Sequence, residues 1–491
     1  MTLLSMQNPT PLFPGFHLQT LRRKPRSEQQ ILTDKIKQLK QKSFSQLGEC
    51  LGQFVPDRFL RPSKSGKHSR QRLFSKSNTF WAFFSQILDA DGGCKEVVRK
   101  IQAASVMKDK VLPSSSTAAY CQARNNLPTE TLTSILKYTT EQLQAKSEHK
   151  GFHSRRVIVV DGTGVSMPDT QKNQQIWPQQ TLQKPGCGFP QASICACFCL
   201  HSGAMLSYEI GNKKIHELPM LRKQWSTFQS GDIFLGDKGF CSFYDIYSFK
   251  EKSVDSVITL ARRTPVKVTN AHKKLGDDDL LIHWKRPAKS SYPHSNWDDL
   301  PENFLLRQIK VTINQSGFRS TSFHIVTTLL DAEKYPAHDI AELYFQRWDV
   351  ELNFRDLKTT MGMDILRCKT PSMVRKEILM YFIAYNCIRS LMYEAARINN
   401  VHNRRISFKA SLQALRQWEP LINQTRNVKS NEHYLMYYLY EVIAKNTVLG
   451  RPGRSEPRAV KRRPKPFQLL TAPRHEMVVI PHRKKKHVKA A

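Results

Sequence analysis

Two aspartates, Asp161 and Asp237, each close a short apolar run, in RRVIVVDGT and GDIFLGDKGF, and each is followed within two residues by glycine. Such a run reads as a buried strand, and the strand ends of an α/β sheet are where ligand sites form. Each carboxylate is expected to project from a turn at a strand end. Taken singly, either Asp is better read as a cap of its own turn. Together, their hard oxygens suit Mg²⁺, with phosphate oxygens available as further ligands. A third acid sits in a sharper pattern. YFQRWDVELNFRDLK places Tyr344, Arg347, Glu351 and Lys358 at offsets of 0, 3, 7 and 14. At about 100° per residue these fall within about 60° of one helix face. The flanks are apolar: Trp348, Phe345 and Leu352 on one side, Phe354, Val350 and Leu357 on the other. That predicts a helix packed on both sides with its polar edge lining a cleft. The plainer alternative is an ion pair between Arg347 and Glu351, one turn apart.

The elements that must hold these residues follow from the texture of the chain. Residues 1–78 are basic, with the run Ser63 to Arg72 near their end, and read as an arm with some helix. From Thr79, behind a Ser77–Asn78–Thr79 cap, an aromatic-rich helix begins, and further helices follow to about residue 146, so 79–150 reads as a helical DNA-binding domain. Strands are predicted in RRVIVVDGT, ASICACFCLH and AMLSYEIGN, then a helix in KIHELPMLRKQWSTF, a strand ending at Asp237, a helix in SFYDIYSFKEK and a strand in SVITLAR. That order indicates an α/β layer fold with a partly parallel sheet. Residues 263–320 read as a β-rich insertion before the strand SFHIVTTLL. One long helix is then expected from about Ala337 to Thr360, with more helices through residue 450.

Charge narrows the partner. Lys and Arg total 76 against 41 Asp and Glu, a net of +35. A surplus of that size favours a polyanion, since each phosphate neutralised releases a condensed counterion. The tail 451–491 alone holds 13 Lys and Arg against 2 Glu and reads as an extended DNA-contacting segment. The 10 Cys include no CxxC pair, and Cys195, Cys197 and Cys199 alternate along one strand face, as small buried hydrophobes do. The chain therefore reads as reduced and cytoplasmic. Its start lacks a secretory pattern, and no run of about 18 apolar residues predicts a membrane span.

DGTGVSMPDT, GDKGF and the Tyr-x2-Arg-x3-Glu-x6-Lys spacing resemble the bacterial insertion-sequence DDE transposases that carry a Tyr-Arg-Glu-Lys signature. QKPGCGFP and RPGRSEPRAVKRRPKPF are also similar to that family, and the resemblance covers residues 80–470. It implies an α/β fold with a ribonuclease H-like catalytic core over 151–370, the β-rich insertion 263–320 inside it, and helical N- and C-terminal regions around it. It makes Asp161, Asp237 and Glu351 the catalytic, metal-binding triad for two Mg²⁺ ions, with Mn²⁺ as a substitute. It assigns Tyr344, Arg347, Lys358 and Lys238 to DNA. Lys238 departs from the arginine more usual there but keeps the charge.

The implied reaction is cleavage at mobile-element ends by water, then attack of the freed 3′-hydroxyl on target DNA. No covalent protein–DNA intermediate is needed, so Tyr344 is expected to contact phosphate. The implied partner is DNA, held by a dimer near the nucleoid, and the apolar stretch 379–396 would serve either as the assembly surface or as part of the chain's own core. Two other readings remain open at this point: a co-opted DNA-binding protein without catalysis, and a nuclease of the same fold without strand transfer.

Overall fold

A computed structural model describes residues 51–52, 54–62, 66, 72–89, 91–106, 111–147, 151–181, 183–260, 265, 267–288, 297–313, 321–424, 429–448, 472–473 and 476–477. Most of the arm 1–78 and nearly all of the tail 451–491 lie outside them.

Among the described residues a 3-10 turn (Asp57–Phe59) precedes four α-helices: α1 (Lys76–Leu88), α2 (Cys94–Val106), α3 (Ala118–Asn126) and α4 (Thr129–Lys146). The cap of α1 is Ser75, whose Oγ accepts from the Asn78 N–H at 3.2 Å, so the helix starts earlier than the Ser77–Asn78–Thr79 cluster suggested. Then come β1 (Val157–Ser166), α5 (Gln171–Ile176), β2 (Gln191–Cys199), β3 (Met205–Asn212), α6 (Glu217–Arg222), β4 (Ile233–Gly236), α7 (Phe243–Glu251) and β5 (Asp255–Thr259). The segment read as an insertion supplies β6 (Lys273–Gly276), β7 (Asp279–Lys285) and β8 (Asn303–Ile313), and β9 (Thr321–Thr327) follows. Among the described residues these strands form one sheet in the order β3-β2-β1-β4-β5-β9-β8-β7-β6. β1, β4 and β5 run parallel, and the other neighbours are antiparallel. The insertion thus lengthens the central sheet.

β1 is buried on both faces. Val157, Val159 and Val165 join the larger core, while Ile158 and Val160 join the smaller one with Cys195, Cys197 and residues of α6 and α7. This is the near-continuous apolar strand that a sheet covered by helices on both sides requires. The three cysteines of β2 are buried and unbridged.

The expected single helix at 337–360 is broken. α8 (Ala337–Phe345) stops at Gln346, α9 (Trp348–Arg355) restarts from Arg347, and a π-helical turn (Asp356–Thr360) follows. α10 (Pro371–Ile398) then crosses the larger core, followed by α11 (Phe408–Gln424) and α12 (Lys429–Lys445). Residues 376–388 of α10 are buried without interruption. The apolar stretch 379–396 is therefore spent on the chain's own core and is not an assembly surface. Asn386 Nδ2 donates to Thr140 Oγ1 at 3.0 Å and the Tyr393 hydroxyl donates to the Lys146 carbonyl at 2.9 Å, which stitches α4 onto α10. Among the described residues no helix is long and apolar enough to cross a membrane.

Candidate active site

Asp161 lies within β1, opposite Ala196 of β2, and not at the strand end expected from its glycine. Its position is nonetheless shared with Asp237. β1 and β4 pair as Val157↔Ile233, Ile158↔Phe234 and Val159↔Leu235. Continuing that register by two residues sets Asp161 beside Asp237, just past the last paired residues and on the same side, at roughly the 4.8 Å spacing of adjacent strands. Asp237 closes β4 as expected and caps the 3-10 turn Lys238–Phe240, its Oδ1 accepting from the Gly239 N–H at 2.8 Å. Asp161 Oδ1 accepts from the Gly162 N–H at 2.8 Å. Burial, then the carboxylates of Glu217 and Asp237, pushes the Asp161 carboxyl up to about 6, against the opposing pull of the Gly162 N–H and Arg347.

Glu351 comes from α9, which packs against β1 through the core residues Val350 and Phe354. The far end of β1 is tied to the same segment, since Ser166 N–H donates to the Asp364 carbonyl at 3.0 Å and Leu366 N–H to the Ser166 carbonyl at 2.8 Å. Arg347 stands at the break that starts α9. Its Nη2 lies 3.4 Å from Glu351 Oε1, so the ion pair considered above is formed, and its charge also reaches Asp161. Tyr344 lies before the break, its ring centroid 6.0 Å from the Arg347 guanidinium and its hydroxyl accepting from Thr259 Oγ1 on β5. Lys358 is half-buried in the π-helical turn, and Lys238 is exposed beside Asp237.

The break and the π turn mean that the stripe is not one straight face. Only one flank packs as expected: Val350, Phe354 and Leu357 are buried, but Phe345 and Trp348 are 47% and 56% exposed beside Tyr344 and Arg347.

Glu217 is the member that sequence reasoning missed. It opens α6, and its side chain lies against β1 so closely that a Cβ on Gly162 would sit 1.7 Å from Glu217 Oε1. Burial first, then Asp237, raises the Glu217 carboxyl, with Lys213 opposing. We expect Glu217→Gln to lower the Asp161 pKa, because one of the charges that raises it is removed. Carboxyl-carbon NMR titration measures this, and an unmoved Asp161 would show that Glu217 does not act on it.

Among the described residues no three of His, Cys, Asp or Glu are gathered tightly enough to share one metal ion. The donor set still suits a hard divalent cation. Asp161 and Asp237 present neighbouring carboxylates, and the ionised form of Asp161 is disfavoured by burial and like charge. A cation between them would relieve both effects.

The transposase DDE domain family matches residues 152–387, a stretch that contains Asp161, Asp237 and Glu351. The transposase InsG of insertion sequence element IS4 from Escherichia coli (strain K12) is 23% identical over 357 residues, which is 72% of this chain and 77% of that protein. A piggyBac transposase synaptic complex with hairpin DNA, solved by cryo-electron microscopy, aligns over 84% of this chain and 87% of its own at 11% identity, with a TM-score of 0.39, too low to support an argument. The family match and the relative spanning most of the chain support an insertion-sequence DDE transposase family for this protein.

Proposed function

We propose that this chain cuts DNA at the ends of a mobile element and joins the 3′-hydroxyls to target DNA, on a ribonuclease H-like core. The observation that carries the reading is the matched placement of Asp161 and Asp237 on adjacent parallel strands, with the Glu351 helix packed on the first of them. The sheet order β3-β2-β1-β4-β5, with β1, β4 and β5 parallel, supports the core assignment.

Asp161, Asp237 and Glu351 would hold two Mg²⁺ ions, with Mn²⁺ as a substitute. When bound, such ions would activate the attacking oxygen and stabilise the leaving one. For Glu351 to serve as a ligand, Arg347 must turn from it to a DNA phosphate. Tyr344, Lys358 and Lys238 hold neighbouring phosphates. Among the described residues the Tyr344 hydroxyl is bonded to Thr259 and to no base, so it positions DNA and does not attack it. The exposed rings of Phe345 and Trp348 offer stacking faces for an unpaired base. Two element ends must be held together, so we propose a dimer on paired end DNA and a monomer in its absence, where the net +35 charge keeps copies apart. The assembly surface lies elsewhere than α10.

The deciding experiment incubates purified protein with the element's own ends, target DNA and Mg²⁺. Cleaved ends joined to target support the reading. Cleavage without joining leaves a nuclease, and binding alone leaves a co-opted DNA-binding protein. Binding is also expected to fall steeply with salt, each neutralised phosphate adding about −0.9 to the slope of log K against log salt. A slope equivalent to only one or two contacts would count against the proposed DNA surface.

A further inference from the structure

A second basic surface lies behind the Glu351 helix. It is a cleft of about 760 Å³ walled by the β2–β3 turn, α9 with the π-helical turn, α10, and residues 402–409. Asp349 and Glu351 are two residues apart, so they point to nearly opposite sides of α9. Asp349 lines this cleft and Glu351 does not. The cleft is thus separate from the acidic site and shares a helix with it.

Its lining carries five cations, Arg355, Arg389, Arg404, Arg405 and Lys409, against two carboxylates, Asp349 and Asp356. Both carboxylates are already matched. Arg389 Nη2 lies 3.3 Å from Asp356 Oδ2, and Arg404 is bonded to Asp349. Three positive charges remain in excess. Arg405 and Lys409 are exposed, and among the described residues neither side chain forms an ion pair; Arg355 is 59% exposed with only a 3.8 Å contact to Asp356. A concave wall with a net positive charge concentrates anions. A second copy of this chain, itself with 76 Lys and Arg against 41 acids, offers little to match it.

We infer that this cleft is a second DNA site, binding the phosphate backbone of a duplex segment other than the one at Asp161, Asp237 and Glu351. The inference rests on the DNA-handling reading above. The same cleft reaches the turn that sets Arg347, since Arg404 Nη1 donates to Gln346 Oε1 at 2.7 Å while Nη2 holds Asp349. A phosphate that draws Arg404 away would loosen the turn immediately before Arg347.

The test compares wild type with Arg405→Gln/Lys409→Gln and with the charge-keeping Arg405→Lys/Lys409→Arg. The probe is an element-end duplex extended by flanking DNA, followed by fluorescence anisotropy across NaCl concentrations. Losing two phosphate contacts should make the salt slope shallower by about 1.8, so the affinity gap between wild type and variant changes about 12-fold between 50 and 200 mM salt. Arg355→Gln gives a second reading, shallower by about 0.9. The charge-keeping variant should retain the wild-type slope. A steep wild-type slope that both neutralised variants share removes the cleft as a DNA site and leaves the proposed function standing. A change that the charge-keeping variant fails to prevent also removes it, because packing and not charge would then be responsible. A flat wild-type slope removes the DNA reading itself.

Discussion

Asp161→Asn is expected to make the metal-free protein more stable at pH 7.5 and to lower DNA cleavage about a thousandfold or more, a loss of about 4 kcal/mol in transition-state stabilisation. Both effects come from one environment. The Asp161 carboxyl is raised to about 6 from an ordinary 3.8 by burial, Glu217 and Asp237. Between those values the unfolded chain has released its proton while the folded chain still holds one. Folding stability therefore falls as pH rises through that window and stays lowered above it. At about 1.4 kcal/mol per pKa unit, and allowing for partial exposure, the neutral amide should recover on the order of 2 kcal/mol above pH 6. The gain should vanish below about pH 4, where both states are protonated. Urea unfolding at pH 4 and pH 7.5 in chelator measures it, and an Asn variant no more stable at pH 7.5 would overturn the assignment of strain to Asp161. Asp237→Asn and Glu351→Gln should lose cleavage equally, with end-DNA affinity within about twofold of wild type at one salt concentration. Near-normal cleavage by any one of the three variants removes that residue from the triad. Added Mg²⁺ should stabilise wild type more than the Asp161 variant, a readout independent of cleavage.

Arg389→Leu is expected to destabilise the fold by about 3–5 kcal/mol, the usual cost of stranding a buried charge. Arg389 donates to Asn353 Oδ1 at 2.7 Å and Asp356 Oδ2 at 3.3 Å, joining α10 to the helix of Glu351 and the π-helical turn of Lys358. Its Nε donates to the Tyr385 hydroxyl at 2.9 Å, and its guanidinium lies 5.3 Å from the Phe408 ring centroid. Asp356 is buried, and burial already raises its carboxyl. Removing Arg389 leaves that acid without its main partner. Arg389→Leu/Asp356→Leu should recover part of the loss, because no orphan charge remains. If the double variant is less stable than the single one, the two residues do not act as a pair.

The acids were legible because their local chemistry is compact. A strand-like run, an Asp and a glycine turn fit within ten residues at both Asp161 and Asp237, and the helical spacing marked Glu351. The end of β1 was misjudged because Gly162 and Gly164 read as a turn, whereas they leave room for Glu217 and Lys213 to press against a strand that runs on to Ser166. The break at Gln346–Arg347 contains neither Gly nor Pro, so helical periodicity runs across it unmarked. Exposed Phe345 and Trp348 break the rule that apolar flanks are packed. Such a departure is expected beside a functional surface. Glu217 gave no signal, since a lone acid at the start of a six-residue helix is what any helix start offers. Periodicity showed that residues 379–396 would be buried. It carried no information on whose core would bury them.

The order in which the chain is made also matters. Asp161 and Asp237 meet through β1 and β4, but Glu351 lies 114 residues beyond Asp237, and α10, which covers the larger core and holds α4, ends only at Ile398. At about 5–20 residues per second, a ribosome needs roughly 8–32 s to travel from Asp237 to Ile398. Throughout that interval the larger core lacks the helix that covers it, and until residue 351 is made the growing polypeptide also lacks the third of the proposed acids. The proposed triad is thus completed on α9 before α10 covers the core, and both arrive late in synthesis.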